Sequence, residues 1–330
     1  MSISNIAWTE KYRPQTLDDI KGHEHVVNRL QTWVEDDEMP HVLLAGPQGT
    51  GKTAMTTAFA REKYGEGAWR NNVLELNASD SRGIDTVRDR VKQFARTGTV
   101  GDATYSIVFL DEVDAMTNDA QAALRRVMED YADRTRFFLS CNYPSQIIDP
   151  IQSRCASFQL SGINDEEIRE IIIEVSASEG IDLPSEDAVD LLVQNSRGDA
   201  RKAITTIQTA ALEGEITEES VSNVVDVIDY NTVRGIVLKA SEGDLDSAVE
   251  RLDEEVLKEG ISAREFITTA LRVIETMDLP QDGKAKILDS LGEIDRGLTH
   301  GANPHVQLHA FLAKVMVARH LSLPNFDDDN

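Results

Sequence analysis

The sequence predicts an α/β fold, a parallel sheet with helices on both faces, followed by an all-helical region. Three observations carry this. Apolar runs of strand length at residues 42–44, 73–76, 107–110 and 136–141 alternate with segments of helical composition, the pattern of repeated β–α units. The first run enters a glycine-rich turn that opens directly into a helix-forming segment. From Ser161 onward the strand-like runs stop, and short helical segments punctuated by Gly180, Gly198 and Gly214 replace them.

In chain order, the first forty residues carry WTEKYRP and then a polar helix-like segment around Val26, Val27, Leu30 and Trp33. A residue before proline is pushed out of the helical region, so Tyr12, Arg13 and Pro14 are expected to be extended. Next comes HVLLAGPQGTGKT at residues 41–53. Strand, glycine loop and helix form the context in which G-x-x-x-x-G-K-[ST] binds phosphate. Gly46, Gly49 and Gly51 let backbone N–H groups turn inward, and the helix N-terminus adds partial positive charge. Lys52 is expected to reach the β- and γ-phosphates, and the Thr53 hydroxyl to hold Mg²⁺.

After the second apolar run, NASDSRGID offers Ser79, Asp80 and Ser81 as caps for a helix whose apolar face is Ile84, Val87, Val91 and Phe94. Arg88, Lys92 and Arg96 recur at helical spacing beside that face. Residues 82–96 hold five cations, Arg82 among them, and two acids, a local +3 in a chain of net charge −25. Most such runs are solvated faces, but basicity inside so acidic a chain points to a phosphate-contacting surface. After a short loop at residues 97–104, the third run, YSIVFLDEVD, ends in two carboxylates. Asp111 is placed to hold the water shell of Mg²⁺ opposite Thr53, and Glu112 to polarise an attacking water. A helix over residues 118–131 adds Arg125 and Arg126 to the basic surface. The fourth strand, RFFLSC, ends on Asn142, which would sit beside the terminal phosphate if the third and fourth strands flank the first. Arg154 precedes a short fifth strand.

Composition bounds the rest. A chain of 330 residues can bury more than one core, so two or three domains are expected. No run reaches the length of a membrane span and the N-terminus lacks a signal-peptide core, which predicts a cytoplasmic protein without membrane contact. Cys141 and Cys155, the two cysteines, suggest neither a disulfide framework nor a metal site. Fifty-eight acidic residues face 33 basic ones, 11 Lys and 22 Arg. Such a balance suits a salt-rich cytoplasm, as in a halophile, better than it suits the alternative of an ordinary acidic protein. Any nucleic-acid contact must then come from a local basic patch.

Taken in register, WTEKYRP, GPQGTGKT, LNASDSRGID, FLDEVDAMT, NYPSQIIDPIQSRC and GDARKAI resemble the AAA+ clamp loaders, most closely the small subunits of archaeal replication factor C. The resemblance is densest over residues 8–210. It implies an AAA+ nucleotide-binding domain at 1–160, a helical lid at 161–225 and a helical oligomerising collar at 226–330. It implies an ATPase that takes ATP and Mg²⁺ and helps to load a sliding clamp onto primed DNA. By resemblance, Gly46, Pro47, Gln48, Gly49, Thr50, Gly51, Lys52 and Thr53 hold the phosphates and metal. Asp111 is the metal-site carboxylate, Glu112 the catalytic base, and Asn142 the γ-phosphate sensor. Arg201, in GDARKAI, is the lid arginine, and Tyr12, Arg13 and Pro14 belong to the adenine pocket. Arg154 is the arginine finger that enters a neighbour's site. Arg82, Arg88, Lys92, Arg96, Arg125 and Arg126 would face primer–template DNA, and the loop at residues 97–102 the clamp. The implied partners are the clamp, the large subunit and other small subunits, in a hetero-pentamer. The sequence departs from the family pattern in Gln48, where proline is usual, and in DEVD for DEAD; neither removes a needed group. Two alternatives are a branch-migration type of AAA+ motor and a mainly structural paralogue.

Overall fold

The computed structural model describes residues 7–36, 38–79, 84–97, 99–101, 103–181, 185–212, 216–217, 220–221, 224, 230–277 and 279–318, with the side chains of 84–88 outside the description. The chain divides into two compact units, Met1–Val224 and Val225–Asn330.

The first unit is built on five parallel strands: β1 (His41–Ala45), β2 (Val73–Asn77), β3 (Ser106–Asp111), β4 (Thr135–Cys141) and β5 (Cys155–Gln159), in the order β2-β3-β4-β1-β5. Side chains alternate across a strand, and here both faces are apolar. Val42, Leu44, Ile107, Phe109 and Phe138 pack on one face with Phe59, Val26 and Leu30. Leu43, Ala45, Val108, Leu110, Phe137 and Leu139 pack on the other with Val91, Leu124, Val127 and Met128. The first face is covered by α2 (Glu24–Glu35) and α3 (Lys52–Tyr64), the second by α5 (Ile84–Arg96) and α6 (Asn118–Asp130). Thr117 caps α6, its side chain accepting from the Ala120 N–H.

The strand order differs from the expected flanking. β1 lies between β4 and β5, and β3 is one strand further out. Asn142 directly follows β4, which flanks β1 as expected; β5 and not β3 is the other neighbour of β1. Three short helices were not expected, α1 (Trp8–Lys11), α4 (Trp69–Asn72) and α7 (Asp149–Gln152). Tyr12 is not extended: it closes α1 with ψ 17°, its N–H donating to the Trp8 carbonyl at 2.8 Å, and the Arg13 N–H donates to the Glu10 carbonyl. The Arg-Pro step restrains Arg13 alone. Among the expected caps, Ser79 turns back on Asn77, and Asp80 and Ser81 lie outside the described residues. The expected apolar face of α5 is visible at Val91 and Phe94; the Ile84 and Val87 side chains are outside the description.

The unit continues through α7 (Asp149–Gln152) to α8 (Asp165–Ser178), α9 (Glu186–Ser196) and α10 (Ala200–Leu212). Asn164 and Glu167 form a capping box at the start of α8. Ile168, Ile172, Leu192, Val193, Ile204 and Ile207 form the buried faces. Gly198 has φ +79°, and a Cβ there would meet the Ile163 carbonyl at 2.7 Å, so only glycine fits this approach.

The second unit is helical in its described residues, with helices Tyr230–Ser241, Leu245–Leu252, Ala263–Thr276, Gln281–Thr299 and Pro304–Ala318. Val233, Ile236, Phe266, Val273, Ile287, Phe311 and Leu312 share one core, with the Phe266 and Phe311 rings edge to face at 6.2 Å. The acidic tail after Ala318 lies outside the described residues. No helix among the described residues is long and apolar enough to cross a membrane.

Candidate nucleotide site

The site grows from the C-terminal ends of β1, β3 and β4, the edge at which open parallel sheets bind ligands. Gly46 leaves β1 with its N–H donating to the Cys141 carbonyl at 3.0 Å. A Cβ on Gly46 would stand 2.4 Å from the Leu160 carbonyl oxygen, so the loop can turn there only without a side chain. Gly49 has φ +70°, and its missing side chain makes room for the Asp199 carboxylate. Its carbonyl accepts from the Ala200 N–H at 3.2 Å, which ties the loop to the start of α10. Gly51 (φ +91°) precedes α3, and no side chain caps the first-turn N–H groups of that helix. Those donors therefore face the cleft with the positive end of the helix dipole behind them.

Lys52 is 8 % exposed. Its ammonium donates to the Gly46 and Pro47 carbonyls at 2.6 and 2.7 Å and to Asn142 Oδ1 at 3.2 Å. Burial pulls its pKa below the ordinary lysine value, with Asp111 and Asp114 opposing the shift. Dipoles alone touch this buried cation directly, so a bound anion supplies what the protein leaves unmet. Thr53 donates to Asp111 Oδ2 at 3.3 Å, and the Ser140 hydroxyl donates to Asp111 Oδ1. One carboxylate and one hydroxyl suit Mg²⁺, which keeps waters and takes its remaining ligands from phosphate. Among the described residues no cluster of three or more His, Cys, Asp or Glu could hold a metal by itself.

Glu112 sits in the left-handed region at φ 56°, a conformation that costs a non-glycine residue. It turns the chain off β3 so that the carboxylate faces the cleft beside Asn77, whose amide donates to Glu112 Oε2 at 3.5 Å. The last carboxylate of DEVD has a separate task. Asp114 Oδ2 accepts the N–H groups of Asn142 and Tyr143, both at 3.0 Å, and fixes the end of β4.

A cleft of about 370 Å³ brings most of the expected residues together. Gln48, Gly49, Thr50, Gly51, Lys52 and Thr53 line it with Asp111, Glu112, Asn142, Arg201, Tyr12, Arg13 and Pro14. Gly46 and Pro47 stand behind, offering their carbonyls to Lys52. The N-terminal arm is fastened over the helical segment: Trp8 N–H donates to Gln208 Oε1 at 3.0 Å, and Lys11 and the Tyr12 hydroxyl both reach Glu179 at 2.7 Å. Burial first and the Glu179 bond second raise the Tyr12 pKa, so its hydroxyl stays protonated.

Arg154 is not among the residues lining this cleft. It pairs with Glu129 at 2.5 Å and is 37 % exposed. Lys92 and Arg96 lie along α5, and Arg125 and Arg126 on α6, two helices that share one core cluster. Arg126 and Arg96 are exposed, Lys92 and Arg125 half-buried. Arg82, and the side chain of Arg88, are outside the described residues, as are residues 98 and 102 of the loop expected to face the clamp. Burial pushes the Cys141 and Cys155 thiols up to about 12, which makes both inert.

Ser140, Asn77, Asp114, Asp199 and Glu129 were missed from the sequence. Asp199 stands inside GDARKAI and Asn77 opens NASD, so both lie within motifs that carry the resemblance. Ser140 had no signal beyond its place in RFFLSC.

Strand ends, phosphate loop and paired carboxylates define a P-loop ATPase of the AAA+ class, and the comparisons agree. Residues 42–162 match the family described as ATPases associated with various cellular activities (AAA). Residues 228–314 match the replication factor C C-terminal domain. The replication factor C small subunit of Haloarcula marismortui is 48% identical over 93% of this chain and 94% of its own length. That of Archaeoglobus fulgidus is 44% identical over 93% of this chain and 96% of its own. The chain belongs to the replication factor C small-subunit family of clamp-loader ATPases. Among solved structures, the Thermotoga maritima RuvB Holliday junction branch migration motor matches with a TM-score of 0.54 at 20% identity, covering 78% of this chain and 91% of that one. That likeness establishes the shared fold.

Proposed function

We propose that this chain binds ATP and Mg²⁺ in the cleft described above and hydrolyses ATP while its assembly opens a sliding clamp and places it on primed DNA. The convergence of Lys52, Asn142, Asp111 and Glu112 on one phosphate-sized turn carries the reading. Residues 46–53 cradle the phosphates. Lys52 shifts from the loop carbonyls toward the β- and γ-phosphates. Thr53 and Asp111 would hold Mg²⁺, which would supply positive charge against the negative charge that develops on the phosphates. Glu112 orients and deprotonates the attacking water, and Asn142 meets the γ-phosphate. Tyr12, Arg13 and Pro14 enclose the base, and Arg201 contributes from α10.

Arg154 is not among the residues lining its own cleft and acts on a neighbour's nucleotide, so hydrolysis depends on assembly. Residues 1–160, 161–225 and 226–330 act as nucleotide domain, lid and collar. The cations of α5 and α6 contact DNA phosphates without reading bases, which suits action at any sequence. The partners are the clamp, a large subunit and further small subunits, five in all. The acidic surface keeps the chain soluble in a salt-rich cytoplasm.

The test is steady-state ATPase at high salt, with and without cognate clamp and primed DNA, and with Arg154→Ala protein mixed in. Stimulation by clamp plus DNA that Arg154→Ala abolishes supports the reading. Activity indifferent to the clamp overturns it in favour of another motor.

A further inference from the structure

Outside the cleft, one carboxylate holds two arginines that the proposed function sets to different tasks. Glu129, near the C-terminal end of α6, accepts from Arg125 Nη1 at 2.7 Å and from Arg154 Nη2 at 2.5 Å, both on Oε1. Arg125 stands one turn earlier on the same helix, whereas Arg154 reaches Glu129 from beyond α7. Arg154 has a second anchor, Nη1 to the Pro150 carbonyl at 2.7 Å. These bonds use two of the five N–H donors of its guanidinium and leave three to meet phosphate.

We infer that Glu129 is a positioning residue for Arg154, and that capture of Arg125 by a DNA phosphate tightens its hold. This rests on the readings that Arg154 acts on a neighbour's nucleotide and that the cations of α6 meet DNA phosphate. A long, half-exposed arginine must give up rotamer freedom before it can stabilise a transition state. Anchored in advance, it loses that freedom before the reaction. Two guanidiniums on one oxygen repel each other, so each is held less firmly than it would be alone. A phosphate that draws Arg125 away removes that repulsion and leaves the whole carboxylate to Arg154. The sign follows: DNA on α6 gives a better-held Arg154 and faster hydrolysis next door.

The experiment is steady-state ATPase of the assembled loader with clamp, with and without primed DNA, for Glu129→Gln, Glu129→Asp, Arg125→Gln and Arg154→Ala. Glu129→Gln should lower kcat roughly tenfold at an unchanged KM for ATP, since a loose group costs transition-state and not ground-state binding. Glu129→Asp, which keeps the charge, should recover part of that loss. Arg125→Gln should raise the DNA-free rate about twofold or more, because it mimics the withdrawn state. A wild-type or higher kcat in Glu129→Gln, with Arg154→Ala still impaired, overturns the role of Glu129 alone. An unchanged DNA-free rate in Arg125→Gln overturns the coupling. Full activity in Arg154→Ala overturns the parent reading and this inference with it. Should Glu129→Gln fail to assemble, Glu129→Asp and Arg125→Gln decide the matter.

Discussion

The nucleotide cleft and the Arg125–Glu129–Arg154 cluster are built in opposite ways. In the cleft, backbone does the placing: Gly46 bonds to Cys141, Gly49 to Ala200, and the Lys52 ammonium rests on two carbonyls. At the cluster, flexible side chains hold each other at 30–38 % exposure. Partly exposed ion pairs contribute little and are screened by salt, whereas dipoles fixed by a sheet are not. In the proposed function the chemical step sits on rigid backbone, and the contact assigned to a neighbour sits on side chains that can be redirected.

The cleft loses most activity at Glu112. Glu112→Gln keeps size and the strained turn but removes the proposed base, so kcat should fall about 10³-fold. ATP should still raise the melting temperature, because the phosphate loop is untouched. If binding falls with kcat, the carboxylate is also part of the cradle.

Lys52→Ala acts on the other half of the reaction. The variant should melt no lower than the parent without nucleotide, since a buried cation touched directly only by dipoles is removed. It should also lose the stabilisation that ATP confers, about 2.7 kcal/mol at a hundredfold excess over Kd. Thermal melts with and without ATP check both halves. A nucleotide-induced shift that persists would place the phosphates elsewhere.

The strand that feeds the loop carries a pH dependence. Burial, with Arg136 adding to it, depresses the pKa of His41 to about 4 from 6.5. Its Nδ1 accepts the Phe137 N–H at 3.2 Å, a bond that only the neutral ring can make. A depressed pKa in the folded state means that the unfolded chain takes up the proton first. The contribution to stability is therefore complete above about pH 6.5 and is lost as pH falls toward 4. Between pH 7 and about pH 4.5, His41→Gln should lose roughly 2 kcal/mol less than the parent in denaturant titrations. Equal losses would mean that His41 titrates normally.

What could be read from the sequence follows the same division. The strand–loop–helix at residues 41–64, the DE at the end of β3 and the polar end of β4 each depend on neighbours in the chain, and all were legible. So was the helical character of residues 230–318, from composition alone. Strand order was not: β5 beside β1 is a long-range pairing to which residues 155–159 contribute no local signal. α1 was hidden because WTEK is too short to show a period, and its stability comes from docking on Gln208 and Glu179. Glu129 was read only as part of a helix, since its partner Arg154 lies 25 positions away and a charged pair leaves no spacing rule across that distance.

Ser140 is the finest test of backbone against side-chain placement, because it is a side chain working inside the rigid region. It is fully buried on β4, donates to Asp111 Oδ1, and its Oγ accepts the Glu112 N–H at 3.3 Å. One hydroxyl thus touches Asp111, the last residue of β3, and Glu112, the residue after it, from the adjacent strand. Ser140→Ala removes both bonds and leaves Asp111 Oδ1 with the Glu112 N–H alone, at 3.1 Å. Partners of metal-site carboxylates matter at the level of ten- to a hundredfold in affinity or activity. A fall of about tenfold in kcat is expected, together with a higher Mg²⁺ requirement at fixed ATP. Ser140→Thr, which keeps the hydroxyl at the cost of one methyl group in a packed layer, should recover much of the Mg²⁺ dependence. If Ser140→Ala leaves the Mg²⁺ titration unchanged, strand geometry alone fixes Asp111, and the cleft depends on backbone more completely than its hydrogen bonds indicate.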